Sequence, residues 1–196
     1  QIDRYEVSKG QMGLGVYLAP DGSNADQLEY MHSKVSGWTT KMKTACVSRF
    51  AAILALTTTI WATLSYPLAA LTLTKRECER LMIPVFACAL PKMGINRHIA
   101  LAYRYGPKCF HGLGLKHLYT DQGIEQLKML LYHGGSDSYC GILLQCCYEL
   151  IQLEVGTSVS FLQLKYADFA FLCTDSYLKS VWKFIDDKNI QIFAPI

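Results

Sequence analysis

A glycine-containing stretch near the middle of the chain, residues 102–123, carries the residue types that could do chemistry. Positive charges alternate there with aromatic rings. The cations in and just before the stretch are Arg97, Arg104, Lys108 and Lys116, and the aromatic residues are Tyr103, Tyr105, Phe110 and Tyr119. Cations bind nucleic-acid phosphates whatever the base sequence, and aromatic rings offer faces on which unpaired bases stack. The pattern predicts a nucleic-acid contact, and the alternative is that the tyrosines only pack the loop onto a core.

A second group of cations lies nearer the start of the chain. A helix is predicted from Ser23 or Asn24 to about Lys43, because apolar residues recur there at helical spacing. The polar side of this helix carries Gln27 and several lysines. A further cation lies at the junction with the next helix. The candidate nucleic-acid contacts of this group are Lys34, Lys41, Lys43 and Arg49.

Neither group contains a recognisable catalytic or metal-binding pattern. Cys109, His111 and His117 do not have the spacing of the common structural zinc sites. Asp121 and Glu125 share a helical face and could share a cation, but a solvated face explains them better. The sequence has no Gly-x-Ser-x-Gly nucleophile motif. We therefore expect no catalytic residue and no metal ligand in this chain.

The composition narrows the classes of protein. Hydrophobic residues make up 51% of the chain and charged residues 18%, so we expect some apolar surface to be covered by another part or partner. The net charge of +3 permits a local nucleic-acid contact without requiring one. None of the eight cysteines forms a Cys-x-x-Cys pair, which favours a reducing compartment, the cytoplasm or nucleus. The chain starts at Gln1 without a visible signal peptide, and we interpret it as a piece of a longer polypeptide.

Residues 50–74 form an uncharged segment of 25 positions that is long enough to span a bilayer. Several threonines and Pro67 fall in its middle, and polar groups are costly there. We therefore predict a buried helix broken near Pro67, and no membrane contact.

The remaining pattern is mostly helical. Thr74 and Glu77 form a capping box that begins a helix over residues 75–90, and further helices are predicted over 117–133, 139–154 and 176–187. Strands are predicted at residues 12–19 and 190–193 and, more weakly, at 161–164. The predicted fold is mainly α: a short β element, a thumb-like helical bundle, a second helical block and a short C-terminal strand.

Several segments carry a resemblance to a known family. Residues 14–16 are Leu-Gly-Val, followed by a turn and a helix carrying Gln27, Lys34 and Trp38. Further segments are residues 64–70, 90–97, 105–123 and 182–192. From about Gly13 to Ile192 these segments resemble the region after the catalytic centre of non-LTR retrotransposon reverse transcriptases. The family usually carries Gly-Gly where this chain has His111 and Gly112.

The resemblance implies three regions: the end of a palm-like β element at 1–22, a thumb-like helical region at 23–93, and a downstream helical region at 94–196. Family members are RNA-directed DNA polymerases whose palm carboxylates hold two metal ions. Those carboxylates would lie upstream of Leu14, so this chain is expected to be non-catalytic, with Mg²⁺ bound only at the missing palm site.

The resemblance also implies partners. They are the RNA/DNA template–primer, which this fragment would grip, and the upstream palm and fingers of the same polyprotein. The alternative is a helical structural or protein-interaction module without direct nucleic-acid contact.

Overall fold

A computed structural model describes residues 6–192, and it is mainly helical. The elements of the first part are β1 Gln11–Gly13, β2 Val16–Leu18, α1 Ala25–Thr44, α2 Arg49–Ala55, a π-helical turn Leu56–Ile60, α3 Trp61–Ser65, α4 Lys75–Lys92 and α5 Leu101–Tyr105. After a 3₁₀ turn at Lys108–Phe110 come α6 Leu118–His133, α7 Tyr139–Val155, α8 Tyr166–Phe169 and α9 Tyr177–Asp187. The mainly α class is confirmed.

The chain divides into two compact units, Gln1–Asp121 and Gln122–Ile196. This division does not test the three regions expected at 1–22, 23–93 and 94–196, which stay a prediction.

The β element is a hairpin, and the single strand predicted over residues 12–19 is wrong. Strands β1 and β2 pair antiparallel, with Gly13 opposite Val16. The two residues between them, Leu14 and Gly15, have φ angles of 51° and 83°. A two-residue turn of this kind needs positive φ at both positions. Leu14 and Gly15 therefore form the turn, and of residues 14–16 only Val16 belongs to a strand.

Helices α1 and α4 form the centre of the first unit. They pack against each other through buried faces that include Met31 and Val35 of α1 and Leu81 and Val85 of α4. The predicted capping box at the start of α4 is confirmed, since the side chains of Thr74 and Glu77 each bond the other's backbone N–H. The packing leaves the opposite side of α1 open to solvent.

Residues 49–65 form one helical run that turns its apolar side inward. Ser48 caps it by accepting a hydrogen bond from the N–H of Ala51 at 3.1 Å. The helix predicted as buried is buried on one side only. Ile60, Trp61 and Leu64 are buried, whereas Ile53 and Leu54 are exposed.

The π-helical turn at Leu56–Ile60 interrupts the run, and the helix ends at Ser65, just before Pro67. Within the described residues, no helix is both long enough and apolar enough to cross a membrane.

The second unit packs around a buried tryptophan of α9. The indole of Trp182 lies edge-on to the ring of Phe161, at 5.5 Å, and donates a hydrogen bond from Nε1 to the Leu164 carbonyl oxygen at 2.9 Å. Helices α6 and α7 contribute Leu130 and Ile151 to the same core.

Two predicted strands of this unit are wrong. Residues Phe161–Gln163 form a 3₁₀ turn that buries both Phe161 and Leu162, whereas a strand points consecutive side chains to opposite faces. Residues 190–192 are not in a strand either, and the last predicted strand residue, Phe193, lies outside the described residues.

Candidate nucleic-acid interface

An open groove runs along one flank of α1, between this helix and the π-helical turn and α3. It consists of two adjoining hollows, with volumes of ≈ 430 and ≈ 250 Å³, that share Lys34, Thr59 and Thr63. The larger hollow reaches the hairpin turn at Gly15 and the ring of Tyr66. The smaller one extends along α1 to Lys41. We call this feature the threonine groove.

One face of α1 supplies a cation–aromatic wall of the groove. The residues Tyr30, Lys34, Trp38 and Lys41 follow each other at spacings of four, four and three, which places them on one side of a helix. The ammonium group of Lys34 lies over the Tyr30 ring, 4.8 Å from its centre. Lys34 and Lys41 are exposed, so their charges are available to a ligand.

Threonines of the other wall determine the chemistry of the groove. Thr58 and Thr63 donate their hydroxyl protons to the carbonyl oxygens of Leu54 and Thr59, at 2.8 and 2.9 Å. Hydroxyls that bond back to the preceding helical turn bend helices. Their oxygens keep lone pairs, so these hydroxyls can accept hydrogen bonds from a ligand.

The two walls are tied together near the middle of the groove. Trp38 of α1 donates from Nε1 to the hydroxyl oxygen of Thr59 at 2.8 Å. At the hairpin end, Tyr66 donates its hydroxyl to the Leu14 carbonyl oxygen at 2.8 Å. These contacts fix the spacing of the walls without closing the groove.

Gln27, expected on the polar side of the helix, is buried and structural. Its Oε1 accepts a hydrogen bond from the N–H of Tyr17 at 2.7 Å, which attaches the hairpin to α1. The residue borders the larger hollow, but its side-chain oxygen is already used by β2.

Lys43 and Arg49 lie at the α1–α2 junction and do not line the groove. Burial raises the pKa of the Cys88 thiol on α4, and the positive charge of Lys43, together with that of Lys92, opposes this shift. The side chain of Arg49 packs over Gly94, whose φ of +76° belongs to a turn. Both predicted cations are exposed, but they form a separate group from Lys34 and Lys41.

Residues 106–116, which follow α5 and which we call the glycine loop, fold back on the end of that helix. The N–H groups of Leu113 and Leu115 donate to the carbonyl oxygens of Tyr103 and Arg104, at 2.8 and 3.1 Å. These bonds satisfy the carbonyl groups that the last turn of a helix leaves without partners. The loop therefore uses these N–H groups internally, and they are not directed at a ligand.

Close backbone approach accounts for two of the loop glycines. A Cβ on Gly112 would collide with the Gly106 backbone, and one on Gly106 would collide with the Ala102 carbonyl oxygen. Glycine is required at such approaches, so these two positions need no bound phosphate to explain them.

The two arginines near this loop differ in their surroundings. Arg104 is half-buried, donates from Nη2 to the Arg97 carbonyl oxygen at 3.1 Å, and stacks its guanidinium over the Phe86 ring at 4.9 Å. Arg97 is exposed and donates from Nε to His98 Nε2 at 3.0 Å. Arg104 thus has a packing role, whereas the charge of Arg97 faces solvent.

The loop lysines are both exposed. Lys108 lies over Gly114, and Lys116 forms an ion pair with Asp121 at 3.5 Å. The aromatic residues of the loop separate into two kinds. Tyr103 and Phe110 are exposed, whereas Tyr119 is buried. Tyr105 packs edge-on against the rings of Phe86 and His117. The packing interpretation therefore holds for Tyr105 and Tyr119, whereas a nucleic-acid contact through Tyr103 and Phe110 stays a prediction.

Of the eight predicted cations, the groove brings together Lys34 and Lys41. The residues that sequence reasoning missed are the groove's acceptors and rings: Tyr30, Thr58, Thr59, Thr63 and Tyr66. The signal for this wall is the run of three consecutive threonines, Thr57–Thr59, in an otherwise apolar segment.

The part of the chain that the structure describes contains no cluster of three or more His, Cys, Asp or Glu side chains that could hold a metal ion. Comparison with protein-family models, with curated proteins and with solved structures finds no match to this chain.

Proposed function

We propose that the chain is the thumb and downstream portion of a non-LTR retrotransposon-like reverse transcriptase, and that it grips the template–primer without carrying out chemistry. The observation that supports the gripping role is the threonine groove, where two exposed lysines and aromatic rings line one open channel. Such a combination suits a nucleic-acid strand, because lysines neutralise phosphates and rings offer stacking faces.

The groove favours an RNA strand over a DNA strand. The hydroxyls of Thr58 and Thr63 have donated their protons to the backbone, so toward a ligand they act as acceptors. A phosphate oxygen cannot donate to them, but the 2′-hydroxyl of RNA can. The lysines then contact phosphates, and the threonines contact the ribose.

The two groove lysines suit contacts with separate phosphates. Lys34 and Lys41 are two helical turns apart, or about 10 Å along the axis of α1. That separation exceeds the spacing of adjacent charges on one strand, so the lysines engage different phosphates. The proposed contact with the rest of the duplex is made by the other exposed cations, which are Lys43, Arg49, Arg97, Lys108 and Lys116. Arg104 supports the loop that carries Lys108.

The experiment is fluorescence anisotropy of the chain with a labelled RNA–DNA duplex at low salt. Replacing Lys34 and Lys41 together by Ala is expected to weaken binding about ten-fold or more, since two phosphate contacts are lost. The matched control, Lys165→Ala with Lys188→Ala, removes the same charge from exposed lysines of the second unit and leaves affinity unchanged.

Two further results bear on the proposal. A DNA–DNA duplex of the same sequence is expected to bind more weakly than the RNA–DNA duplex. Absence of binding at low salt would contradict the gripping role, and equal losses in the groove variant and the control would contradict its assignment to the groove.

The alternative proposal is a helical protein-interaction module of a retroelement polyprotein. The exposed apolar side of α7 favours it, since such surface is normally covered. Binding to an upstream palm fragment, combined with no binding to nucleic acid, would support this alternative and refute the gripping role.

A further inference from the structure

Helix α7 is apolar on two opposite sides. One side enters the core of the second unit through Ile151 and Val155, and Gly141 is buried on the same side of the helix. The other side faces solvent with exposed fractions of 79% for Tyr139, 54% for Ile142, 48% for Leu143, 55% for Leu150 and 78% for Leu153. Contiguous exposed apolar surface on a folded protein marks an interaction site, so the outer side is expected to have an occupant.

The exposed side chains form a narrow stripe on α7. At 100° per residue, Tyr139, Ile142, Cys146, Leu150 and Leu153 fall within an arc of about 80°, directly opposite the buried side. We call this set the α7 stripe. It carries no charged residue, and Cys146 is also exposed.

The spacing of the stripe is symmetrical about its smallest member. From Cys146, the large residues lie four and seven positions away in both directions: Ile142 and Leu150, then Tyr139 and Leu153. In an antiparallel pair of identical helices, a residue n positions before the central residue meets the residue n positions after the central residue of the other helix. Tyr139 therefore meets Leu153 of a second copy, and Ile142 meets Leu150.

From this symmetry we infer that the α7 stripe binds the α7 stripe of a second copy of the chain, antiparallel, with the two-fold axis at Cys146. An isologous interface needs a self-complementary surface, which the symmetrical spacing provides. A small residue at the crossing point lets two helices approach closely, while the large residues on either side interdigitate.

Charge favours the antiparallel register. The acidic residue closest to the stripe, Glu149, is three positions after Cys146 and meets Leu143 of the second copy, not another carboxylate. Glu154 is eight positions after Cys146 and meets Ser138. In a parallel pair each glutamate would face its own equivalent, so like charges would be brought together.

The area of the α7 stripe indicates how large the dimer interface can be. The stripe and Leu143 present on the order of 600 Å² per copy, so the pair buries roughly 1,200 Å², the lower limit for a specific interface. Weak and transient complexes are found at this end of the size range, so we expect a reversible dimer whose population rises with concentration.

Sedimentation velocity of the full chain over a concentration series tests the dimer. The wild-type chain is expected to change from monomer to dimer as concentration rises, and Ile142→Lys with Leu150→Lys is expected to stay monomeric with an unchanged melting temperature. The matched control, Ile83→Lys with Leu101→Lys, alters two other exposed apolar residues and keeps the dimer. A monomeric wild type at all concentrations, or a monomeric control, overturns the inference.

Disulfide trapping tests the orientation. Serine first replaces the cysteines that are not buried, which are Cys46, Cys109, Cys140, Cys146 and Cys147. Two variants of this chain are then made separately, one with Tyr139→Cys and the other with Leu153→Cys. Diamide, which takes two hydrogen atoms from two thiols, is expected to link the chains when the samples are mixed and not in either sample alone. Linkage in the Tyr139→Cys sample alone would show a parallel pair and overturn the antiparallel assignment.

Discussion

A single methyl group at Gly123 is predicted to destabilise the second unit. Gly123 lies in α6 and is buried against the ring of Phe184 on α9. A Cβ there would lie closer than 3.0 Å to ring atoms, a separation that real Cβ atoms essentially never show. Phe184 is only 2% exposed, so its ring has no solvent-filled space to enter.

Two effects of Gly123→Ala oppose each other, and their magnitudes decide the sign. Alanine gains about 1 kcal/mol over glycine inside a helix. Forcing an extra carbon into a packed core costs about 1–3 kcal/mol, and the close approach places this site at the upper end. The free energy of unfolding is therefore expected to fall by about 2 kcal/mol.

Gly37 provides the matched control. It lies inside α1, is exposed, and a Cβ there has no neighbour within 4 Å among the described residues. Gly37→Ala should therefore show the propensity gain alone and raise the free energy of unfolding by up to about 1 kcal/mol.

Urea denaturation followed by circular dichroism measures both variants. Adding Phe184→Leu to Gly123→Ala is expected to recover part of the loss, since the two sites are in contact and their effects are not additive. If Gly123→Ala stabilised the chain as Gly37→Ala does, the packing of α6 against α9 described above would be refuted.

Three further predictions concern the first unit. Thr74→Ala is expected to lower the free energy of unfolding by about 1 kcal/mol through loss of the α4 cap, and Thr74→Ser to retain it, as measured by urea denaturation. Arg104→Ala is expected to cost about 1–2 kcal/mol, because the bond to the Arg97 carbonyl oxygen and the contact with Phe86 are lost, whereas Lys108→Ala should change stability by less than about 0.5 kcal/mol; equal losses would contradict the packing role of Arg104. Burial raises the pKa of Cys78 from 9.0 to about 12. Because the folded thiol keeps its proton after the unfolded thiol has lost it, this contribution to stability is complete below pH 9 and is lost as the pH rises toward 12. Cys78→Ala should therefore flatten the fall in unfolding free energy between pH 8 and pH 10, and an unchanged fall would contradict the burial of this thiol.

The helices were predictable where local chemistry specifies them. The Thr74–Glu77 capping box specifies the start of α4, and a glycine follows directly after α6 and α7, at Gly134 and Gly156. These signals act over three or four residues, so they are visible in the sequence.

The errors occur where long-range packing decides the structure. Residues 161–164 alternate weakly like a strand, but Trp182, about 20 positions away, draws Phe161 and the Leu164 carbonyl around its indole. The positive φ of Leu14 could not be anticipated either, because leucine rarely adopts that conformation.

The candidate site was half predictable. Lys34 and Lys41 were found from charge and helical spacing, which are local properties. Their partners in the groove, Thr58, Thr59 and Thr63, lie on a different element, and only the packing of α1 beside the π-helical turn brings them together. Helical spacing identifies the residues on one face of a helix, but it does not show which other element packs beside that face.

The salt dependence of RNA–DNA duplex binding tests the central proposal most directly. Each phosphate contact contributes about 0.9 to the slope of log affinity against log salt concentration. Replacing Lys34 and Lys41 together by Ala is predicted to reduce that slope by about 2, whereas Lys165→Ala with Lys188→Ala leaves it unchanged. A groove variant with the wild-type slope and the wild-type affinity would contradict the assignment of the threonine groove as the nucleic-acid contact.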